Sequence, residues 1–190
     1  YGDHRDLHSF PHDALPILDG VLINQAVPDK KAEEFAEVAR YFKATKMGYK
    51  YLSKEHFTVD FIRDIHNDLM KGSTRNFGDA PGEFRTQQNY IGKTSGDHGI
   101  VFTPPVPESV DRLMENLVQY IENRKDNLRP LVRAAIIHAQ FLTIHPFMDG
   151  NGRVGRILIP LYLYYCGEIE LPCFFISEAL ERDKFKYYKF

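Results

Sequence analysis

Apolar residues recur at helical spacing along most of the chain. Between Pro107 and Asn123, Val110, Leu113, Met114, Leu117, Val118 and Ile121 follow i, i+3, i+4, i+7, i+8 and i+11, which predicts an amphipathic helix with the proline in its first turn. The same period in Phe35, Val38, Ala39 and Phe42 predicts a helix from Asp29 to about Thr45. Ile62, Ile65 and Leu69 predict another from Thr58 to Lys71, with Gly72 as its stop. Two more apolar runs, Leu131 to Ile144 behind Pro130 and Ile157 to Tyr165, read as helices on either side of a short polar break. Pro160 removes a backbone bond to the Arg156 carbonyl and is expected to bend the second of these.

The pattern fails between residues 73 and 106, where five glycines and three prolines fall from Gly78 to Pro105. Asn89 to Gly92 and Ile100 to Thr103 are short β-prone runs separated by Lys93 to Gly99, so a small β-hairpin is the economical reading. Residues 1–28 carry His4, His8 and His12 without a clean period and read as a solvated arm. Ser177 is placed to cap a last helix. The expected architecture is therefore all-α, about six helices packed as an antiparallel bundle with one hairpin, formed by residues 29–190.

Length and charge narrow the options. A chain of 190 residues with 43% apolar content suits one domain with a sizeable core. A net charge of −2 gives no argument for nucleic acid or an anionic membrane as partner. No apolar run approaches the length of a membrane span and no signal peptide is visible, so the cytoplasm is the expected setting. Cys166 and Cys173 match no zinc or redox spacing and are expected to be buried thiols. A chain that starts at Tyr1 and stops within a helical run reads as a fragment.

The polar break between the two late helices holds most of the chemistry. From His145 to Arg156 the sequence reads His-Pro-Phe-Met-Asp-Gly-Asn-Gly-Arg-Val-Gly-Arg. Gly150 and Gly152 interrupt the helical pattern, and Asn151 is expected to cap the second helix. Backbone N–H groups at the start of a helix form a seat for anionic oxygens. Arg153 and Arg156 share one helix face and present planar forks suited to phosphate. Both oppose the helix dipole, so a carboxylate or anion partner is expected to offset them. Asp149 would repel a polyphosphate unless Mg²⁺ stood between them, and that cation is commonly held by one or two carboxylates plus phosphates and waters. A histidine such as His145 can titrate near neutral pH and take a proton from an incoming nucleophile. His138 lies about 10 Å, two helical turns, before it and is too distant to share a metal. His138 reads as a hydrogen-bonded packing residue, and His66 as a packed or surface histidine rather than a ligand.

The run from 145 to 156 resembles, without departure, the His-Pro-Phe-x-Asp-Gly-Asn-Gly-Arg-x-x-Arg signature of the Fic (Fic/Doc) family. Pro81-Gly82-Glu83-Phe84-Arg85 and Phe102-Thr103-Pro104-Pro105 are similar to the family's core as well. The resemblance implies transfer of AMP from ATP to a hydroxyl side chain of a target protein. It makes His145 the base and Asp149 the Mg²⁺ ligand. It assigns Gly150, Asn151, Gly152, Arg153, Val154, Gly155 and Arg156 to the nucleotide, with Asn151 also steadying charge on the α-phosphate. The hairpin around 89–103 becomes the flap on which the target docks as an added strand. Charge stabilisation and positioning are what phosphoryl-type transfer mainly demands, and these residues supply both.

Two departures qualify the likeness. The family's inhibitory Ser/Thr-x-x-x-Glu-Gly/Asn segment has only the poor counterparts Leu15 to Gly20, with Asp19 for the glutamate, and Ser177 to Glu181. Asp183 stands where an asparagine near adenine is usual. Transfer of UMP, GMP or phosphocholine, removal of AMP, or an interaction module that binds nucleotide without transfer are the competing readings. A P-loop ATPase is excluded because the chain holds no Gly-x-x-x-x-Gly-Lys-Ser/Thr run.

Overall fold

The computed structural model describes residues 32–72, 80–92 and 100–170. The first helix, α1 (Ala32–Leu52), runs beyond the expected end at Thr45 and passes through Gly48. Its last turns bury Ala44, Tyr49 and Leu52, so packing overrides the weak propensity of the glycine. The next helix, α2 (Val59–Met70), starts where the Thr58 hydroxyl accepts the Phe61 N–H at 3.0 Å. It buries Phe61, Ile62, Ile65, His66, Leu69 and Met70.

Two short segments, β1 (Ile91–Gly92) and β2 (Ile100–Phe102), pair antiparallel with Ile91 opposite Phe102. Residues 93–99, the middle of the expected hairpin, lie outside the described residues. Pro107–Ser109 forms a 3₁₀ turn rather than the first turn of the predicted helix, which begins at Val110 as α3 (Val110–Glu122). Val110, Met114, Leu117 and Ile121 are its buried stripe. Then come α4 (Pro130–Ile144), with Pro130 at its first position, and α5 (Asn151–Tyr165), which continues through Pro160.

Of these, α5 is the hub. It packs against α4, α1 and α2, and Val154, Ile157, Leu158, Leu161 and Tyr162 are fully buried. Far from the α4–α5 loop, the buried Arg133 stitches the frame together. Its Nε donates to the Tyr162 hydroxyl at 2.7 Å and its Nη2 to the Asn123 carbonyl at 3.1 Å, while Asp126 takes the remaining charge. The two helices that meet at the polar loop are thereby fixed at their other ends.

The described residues hold five α-helices, and none is long and apolar enough to cross a membrane. The N-terminal arm, the segment around Asp19, the helix expected after Ser177, Glu181, Asp183 and Cys173 lie outside the described residues. Cys166 is half-buried rather than fully buried, and Arg124 Nη1 approaches its sulfur at 3.6 Å.

Candidate active site

Residues 145–150 join α4 to α5, and His145, Met148, Asp149 and Gly150 among them line a concavity of about 300 Å³. His145 is the turning point. It adopts a left-handed conformation (φ 51°, ψ 58°), and its N–H donates to the Phe141 carbonyl at 3.0 Å, closing α4. The ring Nδ1 lies 3.2 Å from the Leu142 carbonyl. A carbonyl only accepts, so Nδ1 carries the proton and Nε2 keeps its lone pair. Burial pulls this imidazole below its ordinary pKa and the Arg85 charge acts in the same direction, against the Leu142 bond and the Asp149 carboxylate. The result is a neutral imidazole with a defined acceptor nitrogen.

The glycines do different work. Gly150 precedes α5 at φ 81°, where a Cβ would stand 3.1 Å from Met70 Sδ and 3.3 Å from the His66 ring. Gly152 lies against Arg156, whose Nη1 would be 3.3 Å from an added Cβ. Both line the concavity, and both keep it open at backbone level.

Asn151 departs from its expected role. Gly150 occupies the cap position of α5, and no side chain caps the helix. The Asn151 amide instead turns back on the loop: Oδ1 accepts the Phe147 N–H at 3.0 Å and Nδ2 donates to the Phe147 carbonyl at 2.7 Å. Phe147 is buried outside any helix, so its peptide groups need these partners. Asn151 still lines the concavity, but its side chain is first a clamp on the loop.

The arginines are not equivalent. Arg153 Nη2 donates to Asp149 Oδ2 at 3.0 Å and its Nη1 pairs with Glu37 of α1. The expected carboxylate offset is thus present, though Glu37 lies far away in sequence. Arg156 also lines the concavity, and its Nε is buried with no hydrogen-bond partner among the described residues. Val154 and Gly155 face the other way. Val154 is fully buried, and Gly155 packs on His138, whose Nδ1 meets its carbonyl at 2.9 Å. A helix turns successive residues by about 100°, so a contiguous assignment from 150 to 156 includes two residues that lie in the core rather than on the lining of the concavity.

Residues outside the motif hold the loop in place. His66 Nδ1 accepts the Gly82 N–H at 2.9 Å, which leaves Nε2–H to donate to the Asp149 carbonyl at 3.1 Å. Its ring stacks on Phe147 at 3.7 Å. Arg85 bonds the His145 carbonyl at 2.8 Å, and Asn89 Nδ2 the Phe147 carbonyl at 3.1 Å. Sequence reading assigned His66 and Arg85 no role in the site, and Asn89 one only as part of the flap. An arginine ending the glycine- and proline-rich run 81–85 was the available signal for Arg85.

Comparison with known proteins decides the family. A family model for Fic/DOC matches residues 56–163, more than half of the chain. The chain belongs to the Fic/DOC family. It is 32% identical over 147 residues to the protein adenylyltransferase fic-1 of Caenorhabditis briggsae, covering 74% of this chain and 26% of that protein. It is 31% identical over 145 residues to the protein adenylyltransferase Fic of Nematostella vectensis, covering 75% of this chain and 31% of that one. The crystal structure of a Fic domain-containing signaling protein from Bacteroides thetaiotaomicron superposes with a TM-score of 0.65 at 25% identity, covering 77% of this chain and 54% of that chain. This Fic chain therefore spans between a quarter and a third of the length of those two curated relatives. Its helical architecture is the one that the solved Fic proteins share.

Proposed function

We propose that this Fic domain is a protein adenylyltransferase, moving AMP from ATP to a hydroxyl side chain of a target protein. One observation carries the reading. A single concavity gathers a neutral imidazole in its acceptor tautomer, a carboxylate, two glycines and an arginine whose buried Nε lacks a partner among the described residues. An anion is the natural partner for that guanidinium. The names of relatives at 31–32% identity point to the same reaction.

In this reading His145 Nε2 takes the proton as the target oxygen attacks the α-phosphorus. A new P–O bond forms, the bond to the β-phosphate oxygen breaks, and pyrophosphate leaves. Backbone N–H groups at Gly150, Asn151 and Gly152 face the developing negative charge, and Arg156 and Arg153 hold the outer phosphates. Mg²⁺ fits the donors present, because Asp149 is one carboxylate at the concavity and no group of three or more His, Cys, Asp or Glu able to hold a metal occurs among the described residues. That composition suits a cation bound mostly through phosphates and waters, where it neutralises phosphate charge.

The strand pair is the proposed flap for the target. Tyr90 just before β1 and Phe102 at the end of β2 are 58% and 38% exposed, a surface on which an extended segment can lie as an added strand. Residues 29–190 would form the catalytic unit and 1–28 an arm, working in the cytoplasm.

The test is incubation with α-labelled ATP and a candidate target, with UTP and GTP as parallel arms and His145→Ala as control. Intact mass should show one added AMP on the target, lost in the control. Label that persists in His145→Ala refutes the assigned base, and labelling from UTP or GTP alone refutes the assigned nucleotide.

A further inference from the structure

Arg85 is 2% exposed, and all its partners among the described residues are carbonyl oxygens. Nε donates to His145 at 2.8 Å, Nη1 to Gln87 at 3.2 Å, and Nη2 to Pro105 and, at 3.4 Å, to Ile144. Its own N–H donates to the Pro146 carbonyl at 2.8 Å. A buried guanidinium with no carboxylate hydrogen-bonded to it is costly unless its fork is fully used; Glu108 acts on it only through its charge, and the fork is spent on three separate segments. One holds the base and the end of α4. The second leads into β1, and the third comes after β2.

We infer that Arg85 is a positioning residue that sets His145 at a fixed distance and angle from the strand pair on which a target would lie. The inference rests on the adenylyltransferase reading and deepens it. The last carbonyls of a helix can be covered by water or by any nearby cation. What a single rigid fork adds is a common reference for the base and the strands. Asn89 repeats the link one step further along, from the approach to β1 to the Phe147 carbonyl. Lysine keeps the charge but offers three donors from one point, so it cannot span the three segments. The nucleotide seat at Gly150 to Gly152 and Arg156 is not touched by Arg85 through any of these bonds.

The separation gives a readout that a purely structural role would not produce. In Arg85→Lys, kcat for transfer to the target should fall about 100-fold, because displacing a reacting group by about 1 Å costs that much. The Kd for a non-hydrolysable ATP analogue should stay within about twofold, since the nucleotide seat is left intact. The NMR cross-peak of the His145 ring, assigned from the His145→Ala spectrum, should move while that of His138 on the same helix holds. Arg85→Met serves as the charge-free companion and should lose at least as much kcat.

Loss of nucleotide affinity in step with kcat would overturn the inference, as would an unmoved His145 cross-peak. Failure of both variants to fold would assign Arg85 to stability alone and overturn it too. Should the parent protein transfer nothing, the adenylyltransferase reading fails, and the cross-peak in Arg85→Lys still decides whether Arg85 sets the ring.

Discussion

His66 shows how a residue without a place in the motif governs it. Burial pulls its pKa down to about 4, with the Arg153 charge adding to the effect and the Asp149 bond and charge opposing it. Protonation at Nδ1 would aim a proton at the Gly82 N–H that already donates there. The folded state therefore binds its proton later than the unfolded chain, whose histidine titrates near 6.5. Stability from the neutral ring is complete above that value and is lost as pH falls toward 4, by about 3 kcal/mol at roughly 1.4 kcal/mol per unit. Urea unfolding of the protein free of Mg²⁺ and nucleotide should show this loss between pH 7 and 4, and His66→Gln should flatten it. An unchanged slope in the variant would remove His66 as the cause. The motif's own chemistry was legible in sequence because its residues are contiguous. His66, Arg85 and Glu37 were less so, since each reaches the loop only through tertiary packing; the local sequence marks neither His66 nor Glu37, and marks Arg85 only as the end of the run 81–85.

The elements were legible wherever an apolar stripe met a cap. Thr58 and Gly72 bracket α2 as expected, and Pro130 opens α4. Misreadings arose where packing outweighed local preference, as at the end of α1. The apolar period read in the sequence stops near Thr45, yet the helix continues and Gly48 is buried where α1 crosses α5. A Cβ at Gly48 would stand 2.6 Å from Leu161 Cδ1 and 3.0 Å from Ile65 Cδ1, and both of those residues are buried. Glycine to alanine in a helix interior ordinarily gains about 1 kcal/mol. Overpacking a tight contact costs about 1–3 kcal/mol, so the close approach should win here. Gly48→Ala should unfold at a lower temperature by up to about 6 °C, the shift expected from a net loss of up to about 2 kcal/mol in a chain of this size. A higher Tm would mean that α1 and α5 part readily, and that the glycine is not what lets them meet.

At the scale of the whole molecule, the first described helix closes on the last. Glu37 of α1 pairs with Arg153 of α5 across 116 positions of sequence, with side chains 27% and 13% exposed. The same guanidinium holds Asp149, so two carboxylates share the arginine proposed for the outer phosphates. This arrangement lowers the cost of placing a cation at a helix N-terminus while the concavity holds no anion. Were Arg153 to take the outer phosphates as proposed, Glu37 would compete with them for its guanidinium. A partly exposed pair of this kind is worth on the order of 1 kcal/mol, which corresponds to about fivefold in affinity. Glu37→Gln should therefore tighten binding of a non-hydrolysable ATP analogue by about fivefold in calorimetry, with a small loss of Tm from the broken pair. Arg153→Ala in the same background should erase the gain, because the freed guanidinium is its source. Weaker binding in Glu37→Gln would instead make the α1 carboxylate a support that aims Arg153 at the ligand, and the outer phosphates would then be read by Arg156 with Arg153 held in place by α1.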